Sequence, residues 1–240
     1  MSDFETIIFE KQGAKAVITL NRPHKLNAYN IKMRDELYES LQAVRDDDEI
    51  RVAILKGAGE KAFCAGADLS EFLSAPPPVA ARQARFERDV WELFLSINKP
   101  FIAALHGFVL GSGIEIAMCC DIRIASDDAQ FGVPEMGLGI IPAAGGSQTI
   151  PRVIDKGVAL DMLISGRWMK AEEALQRKLI NRIVPHSELW KVVNEMADKV
   201  CSFKAQVVYS AKQAVTRGLD LPLPQALELE NRLSQALVMR

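Results

Sequence analysis

Residues 100–121, PFIAALHGFVLGSGIEIAMCCD, leave this chain little freedom in how it folds. PFIAALH is a short apolar run headed by proline, the pattern of a buried strand. A glycine-punctuated turn follows and opens into a helix in which Ile114, Ile116, Ala117 and Met118 leave no polar face. Glu115, in the first turn, is the one charged residue of that helix. A carboxylate in such a setting is poorly solvated, and lone buried carboxylates are rare without a partner or a task.

The same alternation continues to both sides. TIIFEKQGAKAVITL pivots on Gly13 as a hairpin of two strands. NRPHKLNAYN is a loop in which Asn30 is placed to cap the helix IKMRDELYESLQAVRDDD. The strand RVAILKG, a long loop AGEKAFCAGADLSEF and a proline-marked segment SAPPPVA follow, then an amphipathic helix ARQARFERDVWELFLSI. DIRIAS and AQFG are short strand candidates, and beyond about residue 150 the pattern is almost wholly helical. Strands alternating with helices and then helices alone imply an α/β core, residues 1–190, and a C-terminal α-helical region, residues 191–240.

A chain of 240 residues suits one large domain, or one domain with a helical appendage. Its net charge of −2 lacks the basic footprint of a nucleic-acid or membrane-surface protein, so neither partner is expected. Cys64, Cys119, Cys120 and Cys201 have no zinc-ligand spacing and are expected to be reduced core thiols. The start, MSDFETIIFEKQG, has neither the basic flank nor the apolar stretch of a secretory signal, and no apolar run approaches membrane-spanning length. A soluble, cytoplasmic protein is expected.

Two turns rich in small residues can serve chemistry. The first amides of a helix lack internal partners and carry partial positive charge, so Gly111, Ser112 and Gly113 are expected to present free N–H groups. CAGAD, residues 64–68, is a second such turn, where Ala67 offers another N–H. Two amides converging on one oxygen stabilise an enolate or a tetrahedral oxyanion. A second acid stands in FGVPEMGLGIIPAAGGSQ, where Pro134 suits a first helical position and places Glu135 in a first turn, as Glu115 is. Paired carboxylates beside free amides suit water addition or proton transfer. The helix dipole alone favours an acid at such a place, so either glutamate taken singly has a purely structural explanation.

Other chemistries fit less well. A dinucleotide fingerprint fails because Ile116 stands at the third glycine position of GxGxxG, and Glu135 does not end a strand. His24, His106 and His186 have no metal spacing, and there is no GxSxG elbow. His106 is expected to be a satisfied structural imidazole, Asp68 and Asp121 to cap or pair, and Trp91, Leu93 and Phe94 to form core or pocket wall.

With these residues in view, the chain resembles the crotonase (enoyl-CoA hydratase/isomerase) family over nearly its full length. The matching segments run in family order: VITLNRPHKLNAYN, GAGEKAFCAGADLSEF, KPFIAALHGFVLGSGIEIAMCCDIRIAS, AQFGVPEMGLGIIPAAGGSQTIPR and KAEEALQRKLINRIV. The resemblance implies an α/β fold, a spiral of β-β-α units with a C-terminal α-helical trimerisation region. It implies an acyl-CoA thioester substrate and a homotrimer or a hexamer of paired trimers. No metal or redox cofactor is implied, coenzyme A being part of the substrate.

Residue by residue, Ala67 and Ser112 match the positions whose backbone N–H groups hold the thioester oxygen, and Glu115 and Glu135 match the two acids of true hydratases. Glu115 is thereby implied to activate water for attack on the β-carbon, and Glu135 to deliver the proton to the α-carbon. Ala65, Ala67, Asp68, Leu69 and Ser70 match the stretch lining the CoA and thioester site. Leu26 is expected to border the adenine pocket, and residues 72–91 to wall the acyl pocket. Ser112 and Ala143 each replace a usual glycine, Ala143 beside the catalytic water, and typical members continue past the position of Arg240 with a segment that helps cover the CoA site. Retention of both acids favours hydration over double-bond isomerisation or a specialised dehydration. A non-catalytic acyl-CoA or RNA binder is the reading from another class.

Overall fold

The structure, a computed structural model, describes residues 4–72 and 88–238. Its first sheet has the order β1 (Ile7–Gln12), β2 (Lys15–Leu20), β3 (Val52–Gly57), β5 (Phe101–Leu105), β7 (Ile122–Ser126) and β10 (Arg182–Val184). The β1–β2 hairpin is antiparallel and every later pairing in this sheet is parallel. A second sheet holds β4 (Ala62–Cys64), β6 (Phe108–Leu110), β8 (Gln130–Gly132) and β9 (Met169–Lys170). The chain therefore steps from a strand of the first sheet to one of the second (β3 to β4, β5 to β6, β7 to β8), with helical structure after each step. This is the expected β-β-α spiral.

Strand periodicity explains how the first sheet is covered. Side chains alternate between faces along a strand. Val52, Ile54, Ile102, Ala104 and Ile124 pack with Leu189, Val193 and Ala197 of the helix α8 (Leu189–Ser202). Their neighbours Ala53, Leu55, Ala103 and Leu105 belong to the main core with Leu37 and Leu41 of α1 (Ile31–Asp46) and Phe94 of α3 (Val90–Ser96). The boundary expected at residue 190 thus falls inside α8, whose buried face completes the sheet's cover. Departure from the core begins only after Ser202, because α9 (Ala205–Gly218) buries no residue and α10 (Leu223–Val238) buries only Leu229. Lys212 ties α9 down, donating to Asp121 Oδ2 at 2.8 Å and to Lys99 O at 3.0 Å.

Four short strands differ from the sequence expectation. β4 lies inside the stretch expected to be loop, β6 inside the expected turn, and β9 and β10 inside the expected helical half. Each is only two or three residues long, too short to show a period of two, and each exists because a neighbouring strand offers it hydrogen bonds. Asn30 caps α1 as expected, its side chain accepting from Met33 N–H at 3.0 Å. Of the helix expected over 81–97, Val90–Ser96 is helical behind an Asp89 cap. Residues 73–87, which include the proline-marked segment and most of the expected acyl-pocket wall, lie outside the described residues. No helix among the described residues is long and apolar enough to cross a membrane.

Candidate active site

The GSG turn is shaped by two close approaches. A β-carbon on Gly113 would stand 2.2 Å from the carbonyl oxygen of Cys64, so the start of α4 (Ser112–Met118) presses directly on the end of β4. Gly111 has φ +50°, and a β-carbon there would lie 2.6 Å from Glu135 Oε1 and 3.4 Å from the α-carbon of Gly66. Neither position admits a side chain, whereas Ser112 between them is half-buried and free of that restriction. The small residues therefore let three segments meet: the 65–68 turn, the 110–113 turn and the Glu135 carboxyl.

Of the three amides expected to be free, Gly111 N–H is not, because it donates to Gly132 O at 3.0 Å and so binds β6 to β8. Ser112 N–H finds no acceptor among the described residues. In the other turn Tyr29 bridges to Ala67 in parallel fashion. Tyr29 N–H donates to Gly66 O and Asp68 N–H to Tyr29 O, both at 2.8 Å. That pattern uses the groups flanking Ala67 and directs Ala67 N–H to the opposite edge. On that edge Gly66 lies beside Leu110 and Gly111.

Glu115 is 2% exposed, as the apolar helix required. Its Oε1 accepts from the backbone N–H groups of Ala144 and Gly146, each at 2.9 Å. Charge-assisted bonds of this kind compensate a buried carboxylate. Glu135 sits in a 3-10 turn, Pro134–Leu138, with proline at its start. Burial raises the Glu135 carboxyl above the usual carboxylate range and the charge of Glu115 raises it further, opposed by a backbone N–H. Glu135 Oε2 is buried with no hydrogen-bond partner among the described residues. The two acids thus feel each other, and the charge of Glu115 opposes ionisation of Glu135.

The remaining sequence candidates fall around this centre. Ala65 N–H donates to Leu26 O at 3.0 Å, joining the loop to the turn. Leu26 and Asn27 adopt φ of +52° and +55°, a costly conformation for non-glycine residues. Leu26 borders a cavity of about 280 Å³ lined also by Pro23, Asn27, Gly59, Glu60 and Lys61. Asp68 turns its carboxylate to the Ser70 hydroxyl at 2.6 Å and to Arg22 at 2.7 Å, which pull its pKa down to about 2. It pairs, as expected, and Ser70 spends its hydroxyl on it. Leu69 and Ala143 are exposed. Burial pushes the Cys64 thiol up to about 12, which makes it a neutral wall rather than a nucleophile.

Sequence reasoning missed the side chains that hold the first turn. Arg22 reaches both Asp68 and, at 2.6 Å, Ala28 O. Asn27, fully buried, donates to Ala58 O and Ala62 O and accepts from Arg22 N–H. The available signal was the pair of polar residues in NRPHKLNA flanking an otherwise ordinary loop. His106 is buried as expected, yet its Nε2 has no partner among the described residues, so it is not fully satisfied. Its ring meets His186 edge-on at 5.4 Å and burial holds its pKa below the usual imidazole value.

The chain is similar to known proteins over nearly its whole length. Residues 10–239 match the family described as enoyl-CoA hydratase/isomerase. A short-chain-enoyl-CoA hydratase of Clostridium acetobutylicum is 41% identical over 95% of this chain and 88% of its own length. A probable enoyl-CoA hydratase of Rhizobium meliloti is 42% identical over 98% of this chain and 90% of its own. The crystal structure of an enoyl-CoA hydratase from Bacillus anthracis superposes with a TM-score of 0.93 at 34% identity, over 98% of this chain and 92% of that one.

Proposed function

The chain belongs to the enoyl-CoA hydratase/isomerase family, and from that premise we propose that Glu115 and Glu135 jointly add water to a 2-enoyl-CoA thioester held by the amides of Ala67 and Ser112. The enzyme is a hydro-lyase. One observation carries the assignment of roles: two carboxylates flank the same glycine turn, one tied by two backbone amides and the other pushed towards its protonated form.

The thioester oxygen lies between Ala67 N–H and Ser112 N–H, where accumulating negative charge is stabilised. Glu115 takes a proton from the water as its oxygen bonds to the β-carbon. Glu135, protonated at the outset, gives its proton to the α-carbon of the enolate. Water has then added across the double bond, syn because both acids work from one side. Proton exchange with solvent returns Glu115 to its ionised state and Glu135 to its neutral one. The cavity beside Leu26 takes the adenine end of coenzyme A, joined to the reacting centre by the Ala65–Leu26 hydrogen bond. The chemistry runs on amides and carboxyls and needs no metal or redox cofactor.

Self-association into a homotrimer or a pair of trimers is supported by the C-terminal helices. Leu219 is 81% exposed, Leu223 71% and Leu227 54%, apolar side chains that a subunit contact would cover. Incubation with short, long, branched and cyclic 2-enoyl-CoA thioesters tests the proposal. A 3-hydroxyacyl-CoA product formed in the presence of a chelator supports it; a moved double bond without hydration, or turnover that requires an added divalent ion, contradicts it.

A further inference from the structure

We propose that Trp168 is a positioning residue for this reaction: its indole lies across Gly132 and locks together the ends of β6 and β8, the strands that present Ser112 N–H and Glu135. The contact is direct. A β-carbon on Gly132 would stand 2.6 Å from Trp168 Cδ1 and 3.0 Å from its Nε1, so the ring fills the space a side chain would take. Leu110 Cδ2 closes on the same point at 3.1 Å, and Phe108 meets the indole edge-on with ring centroids 5.7 Å apart.

Register explains why these groups coincide. β8 and β9 run antiparallel with Gln130 opposite Lys170 and Phe131 opposite Met169, so the next pair sets Trp168 against Gly132. β6 runs parallel on the other side, with Leu110 beside Gly132. Side chains alternate between faces, and Val109, Phe131 and Met169 on the inner face are at most 1% exposed. The outer face of the same short strands carries Phe108, Leu110 and the indole, an aromatic ring covering a cross-strand glycine. Trp168 is itself 45% exposed, so the main core does not account for its placement.

From Gly132 the link to the chemistry is short. Gly132 O accepts the Gly111 N–H that fixes the turn, Gly111 abuts the Glu135 carboxyl, and Glu135 follows Gly132 by three residues. Loosening these strand ends moves the Ser112 donor relative to Glu135 and admits water to that carboxyl. Burial, with the charge of Glu115 on α4, is what raises its pKa. The inference rests on the hydration reading for the roles of Ser112 and Glu135, but not for the contact.

The test uses the full chain carrying Trp168→Ala or Trp168→Phe, with Trp168→Leu in place of the alanine variant should that fail to fold. Trp168→Ala is expected to lower kcat on a short-chain 2-enoyl-CoA by about 10- to 100-fold with KM nearly unchanged, the cost of a small misplacement of reacting groups. Trp168→Phe, still able to cover Gly132, is expected to restore most of it. In parallel, the Glu135 carboxyl carbon is titrated by 13C NMR, assigned by its loss in Glu135→Gln. Its midpoint is expected to fall towards the ordinary carboxylate value in Trp168→Ala. This titration needs no substrate, so a shifted midpoint supports the positioning role even if no hydration is found. A folded alanine or leucine variant with unchanged kcat and unchanged midpoint overturns it, even if the melting temperature is lower, because the indole is then only a cover.

Discussion

The turn at 65–68 and the turn at 110–113, proposed to give one amide each to the thioester oxygen, are held by opposite means. The first is tied by side chains: Arg22 grips Asp68, Asn27 bridges three backbone groups, and Tyr29 zips the strand edge. The second has almost no side-chain hydrogen bonding of its own. It is set by close packing and backbone shape, since Gly113 lies against the Cys64 carbonyl with no room for a β-carbon and Gly111, at φ +50°, lies against the tip of the Glu135 carboxyl. A polar network tolerates loss of a member at a cost in stability. A turn fixed by close packing passes any displacement straight to the acid it touches. The first turn should therefore respond to mutation mainly in folding, and the second mainly in turnover.

The largest effects are expected at the acids meeting the second turn. Glu115→Gln and Glu135→Gln should each lower hydration by about 10²- to 10⁴-fold, the usual range for a general acid or base. Binding of acyl-CoA should persist in both, because the Ala67 and Ser112 amides remain; calorimetry with a saturated acyl-CoA checks this. Loss of binding with loss of turnover would blur the distinction between the turns.

Next comes the amide itself. Ser112 is the first residue of α4, a position where proline is accepted, so Ser112→Pro deletes the donor at small structural cost. Turnover should fall about 100- to 1,000-fold, as for other oxyanion donors. Ser112→Gly should stay within a few-fold of the wild type. Wild-type turnover in a folded proline variant would remove this amide from the mechanism.

A pH profile sharpens the comparison further. In the proposed reaction Glu135 acts as the acid, and its pKa is raised, so kcat should decline as pH rises through that pKa and the decline should vanish in Glu135→Gln. The smallest catalytic effect is expected at Asp68, in the first turn. Asp68→Asn should cost about 1.5–3 kcal/mol of stability, the range for hydrogen bonds to a charged group, and change kcat little. Because the folded-state pKa of Asp68 is depressed to about 2, its contribution is present above the ordinary carboxylate range. It is lost as pH falls through about 2. Chemical denaturation at neutral pH and near pH 2 measures both.

Much of the candidate site was legible in sequence, and for a local reason. Glu115 announced itself as the one charged residue on an otherwise mostly apolar helix, and Pro134 placed Glu135 at the start of a helical turn. Asn30 at its cap and the apolar run Phe101–Leu105 were equally plain. What was hidden depends on contacts distant in the chain. Gly111 N–H is spent on Gly132, twenty-one positions away, and Asn27 on Ala58 and Ala62. β6 and β9 owe their existence to β8, so no period within three residues could show them.

In the proposed reaction two acids handle one water and one proton as a unit. Steady-state hydration of a short-chain 2-enoyl-CoA by Glu115→Gln, Glu135→Gln and the double variant tests it most directly. Residues acting as a unit are not additive, so the double variant should fall little below the weaker single one. Full additivity of the two losses, or near-normal hydration by Glu115→Gln, would contradict the claim.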